Sequence, residues 1–346
     1  MPDDLDRQRR AGRAALAAFV ACLVVYASLP WLPGVGSAPA RTVVVDGYSI
    51  LGDVMNQGLF PAFQDLWARR TGERVEFVSS FAGSGTVTNQ IILGVPAEVA
   101  ILSLELDAQR LAKAGRVEGA AWQRLPHHGV VTLTPFVILT RPGNPQGIHD
   151  FADLARPGVG VVHPDPLTSG GAQWSILAEY GSAVRETNRT EAGFEMLLGV
   201  WKNVVAQASS ARAARTQFEA GFGDALVTYE QEAVYDAARG KLEAEAVVPK
   251  RTIMSENLVV VLDRNIPAED RPVVDAFVQF LWSTEGQRVF VQFGFRSANA
   301  TLTRENPALG PIEDAFTVAD LGGWTVAKRD IIEGTWKARV LPEVGT

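Results

Sequence analysis

Short runs of β-branched and aliphatic residues alternate with longer segments of helical periodicity, and this alternation constrains the fold more than any other feature. Eight short runs predict strands, at residues 42–45, 75–78, 99–102, 130–139, 158–162, 204–206, 225–228 and 258–262. Apolar residues recur at helical spacing in residues 62–70, 106–114, 173–181, 192–201 and 273–282. Strands that alternate with helices predict α/β units built around parallel sheets.

The chain is long enough for two domains with a well-buried core. It has 346 residues, of which 47% are hydrophobic, with a single Cys and 4 His, so we expect no structural metal. The net charge of -7, without a strong basic run after the first fifteen residues, disfavours a nucleic-acid partner. The chain contains neither a nucleophile elbow nor a phosphate-binding or dinucleotide-binding glycine motif. We therefore expect no catalytic residue and no cofactor.

The first forty residues have the character of a targeting segment. Four arginines lie between Arg7 and Arg13, an uncharged stretch follows at 14–32, and Ser37-Ala38-Pro39-Ala40 matches a small-residue cleavage site. These features predict a signal peptide at residues 1–40 and a mature chain that begins at Arg41 outside the cytoplasm. The uncharged stretch also approaches the length of a membrane span, so an uncleaved N-terminal anchor is the alternative.

Three segments rich in small residues each follow a predicted strand and open a predicted helix. They are residues 81–86, 167–172 and 209–213. A helix N-terminus exposes unpaired N–H groups and the positive end of the helix dipole, so it can bind an anion. Glycine in such a segment lets the anion approach the main chain. The pattern predicts either three anion-binding helix starts or three ordinary serine and glycine caps.

Several motifs carry a resemblance to a known family, and it extends from about Val43 to Ala338. These motifs include Gly83-Ser84-Gly85, Ile148-His149-Asp150, Thr168-Ser169-Gly170-Gly171-Ala172 and Gly322-Gly323-Trp324-Thr325. With them the chain resembles the periplasmic sulfate- and thiosulfate-binding proteins of ABC importers.

The resemblance implies a two-lobed periplasmic binding protein of the Venus-flytrap type, an α/β protein with two mixed or parallel sheets and a hinge. Lobe one would comprise residues 41–130 and 257–346, and lobe two residues 131–256. A protein of this kind is no enzyme. It would capture sulfate or thiosulfate in the cleft between the lobes and deliver the anion to an ABC permease, as a periplasmic monomer.

The resemblance also implies a set of ligand-binding residues. The positions that bind the anion in this family fall on Ser84 in lobe one and on Ser169, Gly170, Gly171 and Ala211 in lobe two. The family's indole donor falls on Tyr229, so a phenol would have to supply that hydrogen bond.

Three charged residues leave the identity of the anion open. The family's segment with an acidic residue near the ligand is replaced here by residues 46–53, which contain Asp46 and Asp53. A carboxylate in the cleft would favour a protonated anion such as hydrogen phosphate, whereas a cleft without one would favour sulfate. Arg212 would either attract the anion from a distance or lie on the surface. A membrane-anchored oxyanion sensor or accessory module is the alternative function.

Overall fold

The structure is a computed structural model that describes residues 16–25 and 40–345. Residues 16–25 form a helix whose side chains are exposed. The rest of the predicted leader, including residues 37–39 of the predicted cleavage motif, lies outside the described residues. Within the described ranges, no helix is long and apolar enough to cross a membrane.

The described part of the chain contains an eleven-stranded sheet. Its strands are β1 Arg41–Tyr48, β2 Val75–Ala82, β3 Val99–Leu102, β4 Val130–Thr140, β5 Val161–Pro164, β6 Val204–Ala208, β7 Ala225–Tyr229, β8 Glu245–Val247, β9 Arg251–Val261, β10 Arg296–Ser297 and β11 Asp314–Phe316. The main helices are α1 Phe60–Thr71, α2 Ser84–Leu93, α3 Glu105–Lys113, α4 Gly170–Thr187, α5 Thr190–Lys202, α6 Ala211–Glu219, α7 Glu230–Ala238, α8 Arg271–Trp282 and α9 Thr284–Gln292. Shorter helical turns lie at Ser49–Leu51, Gly52–Val54, Met55–Leu59, Ala121–Arg124, Pro126–Gly129, Phe151–Leu154, Asp263–Asn265, Ala300–Thr303 and Val318–Leu321.

The sheet consists of two parallel groups that antiparallel strands join. The strand order along its main path is β2-β1-β3-β9-β4-β7-β5-β6. Strands β1, β2 and β3 are parallel and form the first group, and β5, β6 and β7 are parallel and form the second group. Strand β9 is antiparallel to β3 and to β4, and β4 is antiparallel to β7. The two expected sheets therefore belong to one hydrogen-bonded path.

Strands β4 and β9 connect the two groups, and we call them the crossing strands. Each is 11 residues long. Residues 130–135 of β4 pair with β9, and residues 136–140 pair with β7. Residues 258–261 of β9 pair with β3 in the first group. The first group is therefore joined to β9, β9 to β4, and β4 to the second group, so the crossing strands together link the two groups within the sheet.

The predicted helices and strands are confirmed, but two strand starts differ. The fifth strand begins at Val161 rather than 158, because Gly158 adopts a φ of 87° in a turn. Strand β9 begins at Arg251 rather than 258. Residues 251–257 include polar side chains that are buried between crossing strands, so apolar periodicity does not reveal this part of the strand.

The C-terminal helical segment is formed by Gly323–Val326, Ala327–Val340 and Leu341–Val344. Trp324 packs against Trp174 of α4 with ring centroids 4.7 Å apart, and Trp336 packs against Trp201 of α5 at 5.0 Å. Residues 257–346 were expected to complete lobe one, and that division stays a prediction. Both tryptophan contacts are made to helices within residues 131–256, the range expected for lobe two.

Candidate anion-binding site at the helix N-termini

Each predicted site residue lies close to the carboxyl end of a strand, where a helix begins. Ser84 begins α2 after β2, Ala211 begins α6 after β6, and Tyr229 ends β7 directly before α7. Ser169 is the N-cap of α4, and its hydroxyl oxygen accepts a hydrogen bond from the Ala172 N–H at 3.4 Å. Open α/β sheets bind ligands outside the carboxyl ends of their strands, so these residues lie where a ligand is expected.

The three segments rich in small residues touch one another through their main chains. The Gly85 N–H donates to the Thr168 carbonyl oxygen at 3.1 Å. A Cβ atom on Gly83 would collide with the carbonyl oxygens of Thr168 and Ser209. A Cβ atom on Gly171 would lie 3.1 Å from the Tyr229 hydroxyl oxygen. The structure therefore brings segments 81–86, 167–172 and 209–213 together, and glycine permits that approach.

Four main-chain N–H groups in this cluster have no hydrogen-bond acceptor among the described residues. They belong to Ser84, Gly170, Gly171 and Ala211. All four residues are buried, and each occupies the first turn of a helix. Buried N–H groups almost always have a partner, so four unpaired ones at converging helix starts indicate a place for an acceptor-rich ligand.

Ser103, which the sequence analysis missed, links the predicted residues. It follows β3 and is 0% exposed. Its N–H donates to the Ser84 hydroxyl oxygen at 3.1 Å, and its hydroxyl oxygen lies 2.8 Å from that of Tyr229. Its carbonyl oxygen accepts from the Trp174 indole at 2.7 Å. Ser103 thereby connects the first parallel group to residues of α4 and β7.

Asp107 was also missed, and it determines what Ser84 can offer a ligand. The Ser84 hydroxyl donates to an Asp107 carboxylate oxygen at 2.7 Å, in a buried pair. Burial raises the pKa of Asp107, and the hydrogen bond from Ser84 and the charge of Arg110 oppose that rise. Ser84 has a single hydroxyl hydrogen, which Asp107 accepts, so it offers a ligand its N–H and an oxygen lone pair.

Ser169 and Tyr229 offer hydroxyl hydrogens instead. The Ser169 hydroxyl oxygen accepts from Ala172, and among the described residues nothing accepts its hydrogen. Burial raises the pKa of Tyr229 well above its usual value, so the phenol is neutral at physiological pH. Ser169 can therefore donate to an anion, and Tyr229 can do so when Ser103 is the donor in the hydrogen bond between their hydroxyls.

The structure places the three charged residues whose roles were open. Asp46 is 3% exposed on β1, and burial raises its pKa. Asp53 accepts a hydrogen bond from the Arg212 guanidinium at 3.0 Å, and Arg212 also lies 3.2 Å from the buried carboxylate of Glu232. Arg212 thus bridges Asp53 on the side of the first group and Glu232 on the side of the second.

The described residues contain no group of three or more His, Cys, Asp or Glu side chains placed to hold a metal ion. What the cluster provides is a set of neutral hydrogen-bond donors at positive helix ends. Such a set suits a small anion with several acceptor oxygens.

Comparisons with known proteins identify the family to which the chain belongs. Residues 54–296 match the family model of bacterial extracellular solute-binding proteins. The chain is 34% identical over 310 residues to a sulfate-binding protein from Synechococcus elongatus, which covers 88% of this chain and 88% of the relative. It is 30% identical over 306 residues to a thiosulfate-binding protein from Pseudomonas aeruginosa, which covers 86% of this chain and 92% of the relative.

A solved structure supports the same relationship. The sulfate-binding protein SubI from Mycobacterium tuberculosis superposes with a TM-score of 0.76 and 29% identity, over 83% of this chain and 98% of that chain. The fold is therefore the α/β fold of periplasmic binding proteins. From the family match over most of its length and these relatives, the chain belongs to the bacterial extracellular solute-binding proteins.

Proposed function

We propose that this protein captures sulfate or thiosulfate outside the cytoplasm and delivers it to an ABC permease. The names of the relatives support this proposal, since they are sulfate- and thiosulfate-binding proteins that align over most of both chains. The observation that carries it is the set of four buried N–H groups that have no acceptor within residues 16–25 and 40–345, on Ser84, Gly170, Gly171 and Ala211.

The proposed cleft lies between two lobes. We assign residues 41–130 and the return from 257 to lobe one, and residues 131–256 to lobe two. The C-terminal helical segment packs on α4 and α5, so we propose that it moves with lobe two. The anion would bind at the contact between segments 81–86, 167–172 and 209–213, and its binding would hold the lobes closed.

Uncharged hydrogen-bond donors are sufficient to bind a dianion such as sulfate in this site. Stripping a dianion of water is costly, and hydrogen bonds to a charged group contribute about 1.5 to 3 kcal/mol each. The site offers four N–H groups together with the hydroxyls of Ser169 and Tyr229. These six donors would offset the cost of desolvation and leave an affinity near micromolar, about 8 kcal/mol.

The test is a calorimetric titration of residues 41–346 with sulfate, thiosulfate, molybdate and phosphate. We expect sulfate or thiosulfate to bind most tightly, and the melting temperature to rise as the anion concentration increases. Small-angle scattering should record a smaller radius of gyration with the anion than without it. A melting temperature that stays unchanged at high concentrations of all four anions would refute the proposal of an oxyanion carrier.

One observation favours a second candidate, a carrier for a protonated oxyanion such as hydrogen phosphate. Because the Ser84 hydroxyl donates to Asp107, its free lone pair can accept the proton that such an anion carries. Under this alternative, phosphate would bind more tightly than sulfate near neutral pH. Asp107→Ala, which takes away the acceptor of the Ser84 hydroxyl hydrogen, would remove that preference. Under the sulfate proposal, sulfate would bind more tightly than phosphate in both the wild type and the Asp107 variant.

We propose a periplasmic or otherwise extracytoplasmic location, reached through the N-terminal segment, and a monomeric carrier. Mass spectrometry of the protein made in a bacterial host tests the location directly. A mature chain beginning near Arg41 would support a free carrier, whereas retention of residues 1–40 would support a tethered sensor or accessory module.

A further inference from the structure

The hydroxyl groups of Ser103 and Tyr229 form a buried pair across the proposed cleft. Their oxygens are 2.8 Å apart, and the two residues are 0% and 1% exposed. Ser103 follows β3 in the first parallel group, and Tyr229 ends β7 in the second. This hydrogen bond therefore links the two sides of the cleft.

The direction of this hydrogen bond decides whether Tyr229 can donate its hydroxyl hydrogen to an anion. If Tyr229 donates to Ser103, its only hydroxyl hydrogen is used. If Ser103 donates to Tyr229, the phenol hydrogen is free for the anion, and a phenol that accepts one hydrogen bond becomes a stronger donor in the next. The main chain of Ser103 is fixed by its hydrogen bonds with Ser84 and Trp174, so its hydroxyl stays next to the phenol.

We propose that Ser103 is a specificity-determining residue of the anion site, which orients the Tyr229 hydroxyl so that its hydrogen points at the bound oxyanion. The proposal rests on the function proposed above and extends it. Ser103 and Tyr229 together supply the hydrogen bond that the resemblance assigns to a single indole. Tyr229 would be effective only in the presence of the Ser103 hydroxyl.

The packing around Tyr229 also favours a phenol that pairs with Ser103. Its ring lies 4.5 Å from that of Phe136 and 5.9 Å from that of Tyr48. On another side, the Cβ position of Gly171 is 3.0 Å from a ring carbon of Tyr229. A larger indole at this position would need additional space, and Ser103 is the hydroxyl-bearing side chain directly in front of the phenol oxygen.

The test is a double-mutant cycle of sulfate affinity, measured by calorimetry in residues 41–346. We expect Ser103→Ala to weaken sulfate binding about tenfold and Tyr229→Phe to weaken it at least as much. The double variant should bind as Tyr229→Phe does, since the Ser103 hydroxyl acts through the phenol. A purely structural role for Ser103 would instead make the two losses multiply.

A second arm exchanges the phenol for an indole. We expect Tyr229→Trp alone to bind sulfate more weakly than the wild type, and Tyr229→Trp combined with Ser103→Gly to recover affinity because space is released. Ser297→Ala is the control. It removes another buried serine hydroxyl, which donates to Gln287 outside the anion site, and should keep wild-type affinity.

The outcomes separate this inference from the proposed function. A wild-type protein that binds no oxyanion refutes both. Wild-type binding with an unchanged dissociation constant in Ser103→Ala, or with losses that multiply in the double variant, refutes only the role of Ser103. Failure of Ser103→Gly to improve the Tyr229→Trp variant also overturns the paired arrangement.

Discussion

Gly170 is the position where the structure makes the sharpest quantitative prediction. A Cβ atom on Gly170 would lie 2.7 Å from the Ser103 Oγ, 2.9 Å from the Ser103 Cβ and 3.0 Å from a Leu104 side-chain carbon. Carbon contacts are most favourable at about 3.5 to 4.0 Å, so Gly170→Ala has to widen this contact by roughly 0.5 to 1 Å. Overpacking of this kind costs about 1 to 3 kcal/mol.

That cost should fall on closure of the cleft rather than on folding. Gly170 belongs to the side of the second parallel group, whereas Ser103 and Leu104 follow β3 of the first. The φ of Gly170 is not in the left-handed region, so alanine fits the backbone at this helix start. We therefore expect Gly170→Ala to weaken sulfate binding roughly 5- to 150-fold, while the ligand-free protein melts near the wild-type temperature.

Calorimetry gives the affinity, and thermal melting without the anion gives the stability. Gly310→Ala is the matched control, because a Cβ atom there meets no atom within 4 Å and its φ is not in the left-handed region. We expect that control to bind sulfate as the wild type does. The reasoning fails if Gly170→Ala binds sulfate within twofold of the wild type, or if it loses its fold before binding can be measured.

Three further predictions concern hydrogen bonds and buried charge. Ser169→Ala should weaken sulfate binding by about 1.5 to 3 kcal/mol, because it removes a hydroxyl hydrogen that has no acceptor among the described residues. It should also lower the melting temperature, because the N-cap of α4 is lost; equal calorimetric affinity would contradict the role in binding. Asp46→Asn should stabilise the protein at neutral pH. Burial raises the folded-state pKa of Asp46, so the wild type loses stability as pH rises from the usual value of 3.8 through that raised pKa. Denaturant unfolding at several pH values should show that the variant and the wild type have the same free energy of unfolding at low pH. Arg212→Gln should open the ligand-free protein, since it removes the ion pair with Asp53, and scattering should record a larger radius of gyration than for the wild type. Added salt, which screens this ion pair in the wild type, should not change the radius of gyration of the variant.

Local patterns predicted much of the fold. Strand β3 matches its predicted range of 99–102 because four consecutive apolar residues form a buried strand. Helix α8 follows an apolar face at helical spacing and extends the prediction by only two residues at its N-terminus. The three helix starts were predicted correctly from serine and glycine at the ends of strands.

The two site residues that local patterns did not predict, Ser103 and Asp107, contact residues that are distant in the sequence. Ser103 is separated from Tyr229 by 126 positions, and Asp107 is separated from Ser84 by 23. Neither residue lies in a recognisable motif, and a serine after a strand or an acidic residue in the first helical turn has ordinary local explanations. Local similarity pointed to Asp46 and Asp53 as carboxylates near the ligand, whereas Asp107 contacts Ser84 only through the fold.

The crossing strands have a mechanical consequence. Because residues 130–135 of β4 are hydrogen-bonded to β9, the two parallel groups are not joined by a slack loop at this point. If they separate, this ladder has to bend or twist. The ladder is irregular where its register shifts between Val130 and Thr132, and it lacks one donor at Pro135, which has no N–H. In the proposed carrier, opening the cleft would bend this ladder, so the stiffness of the sheet would influence how readily the anion is released.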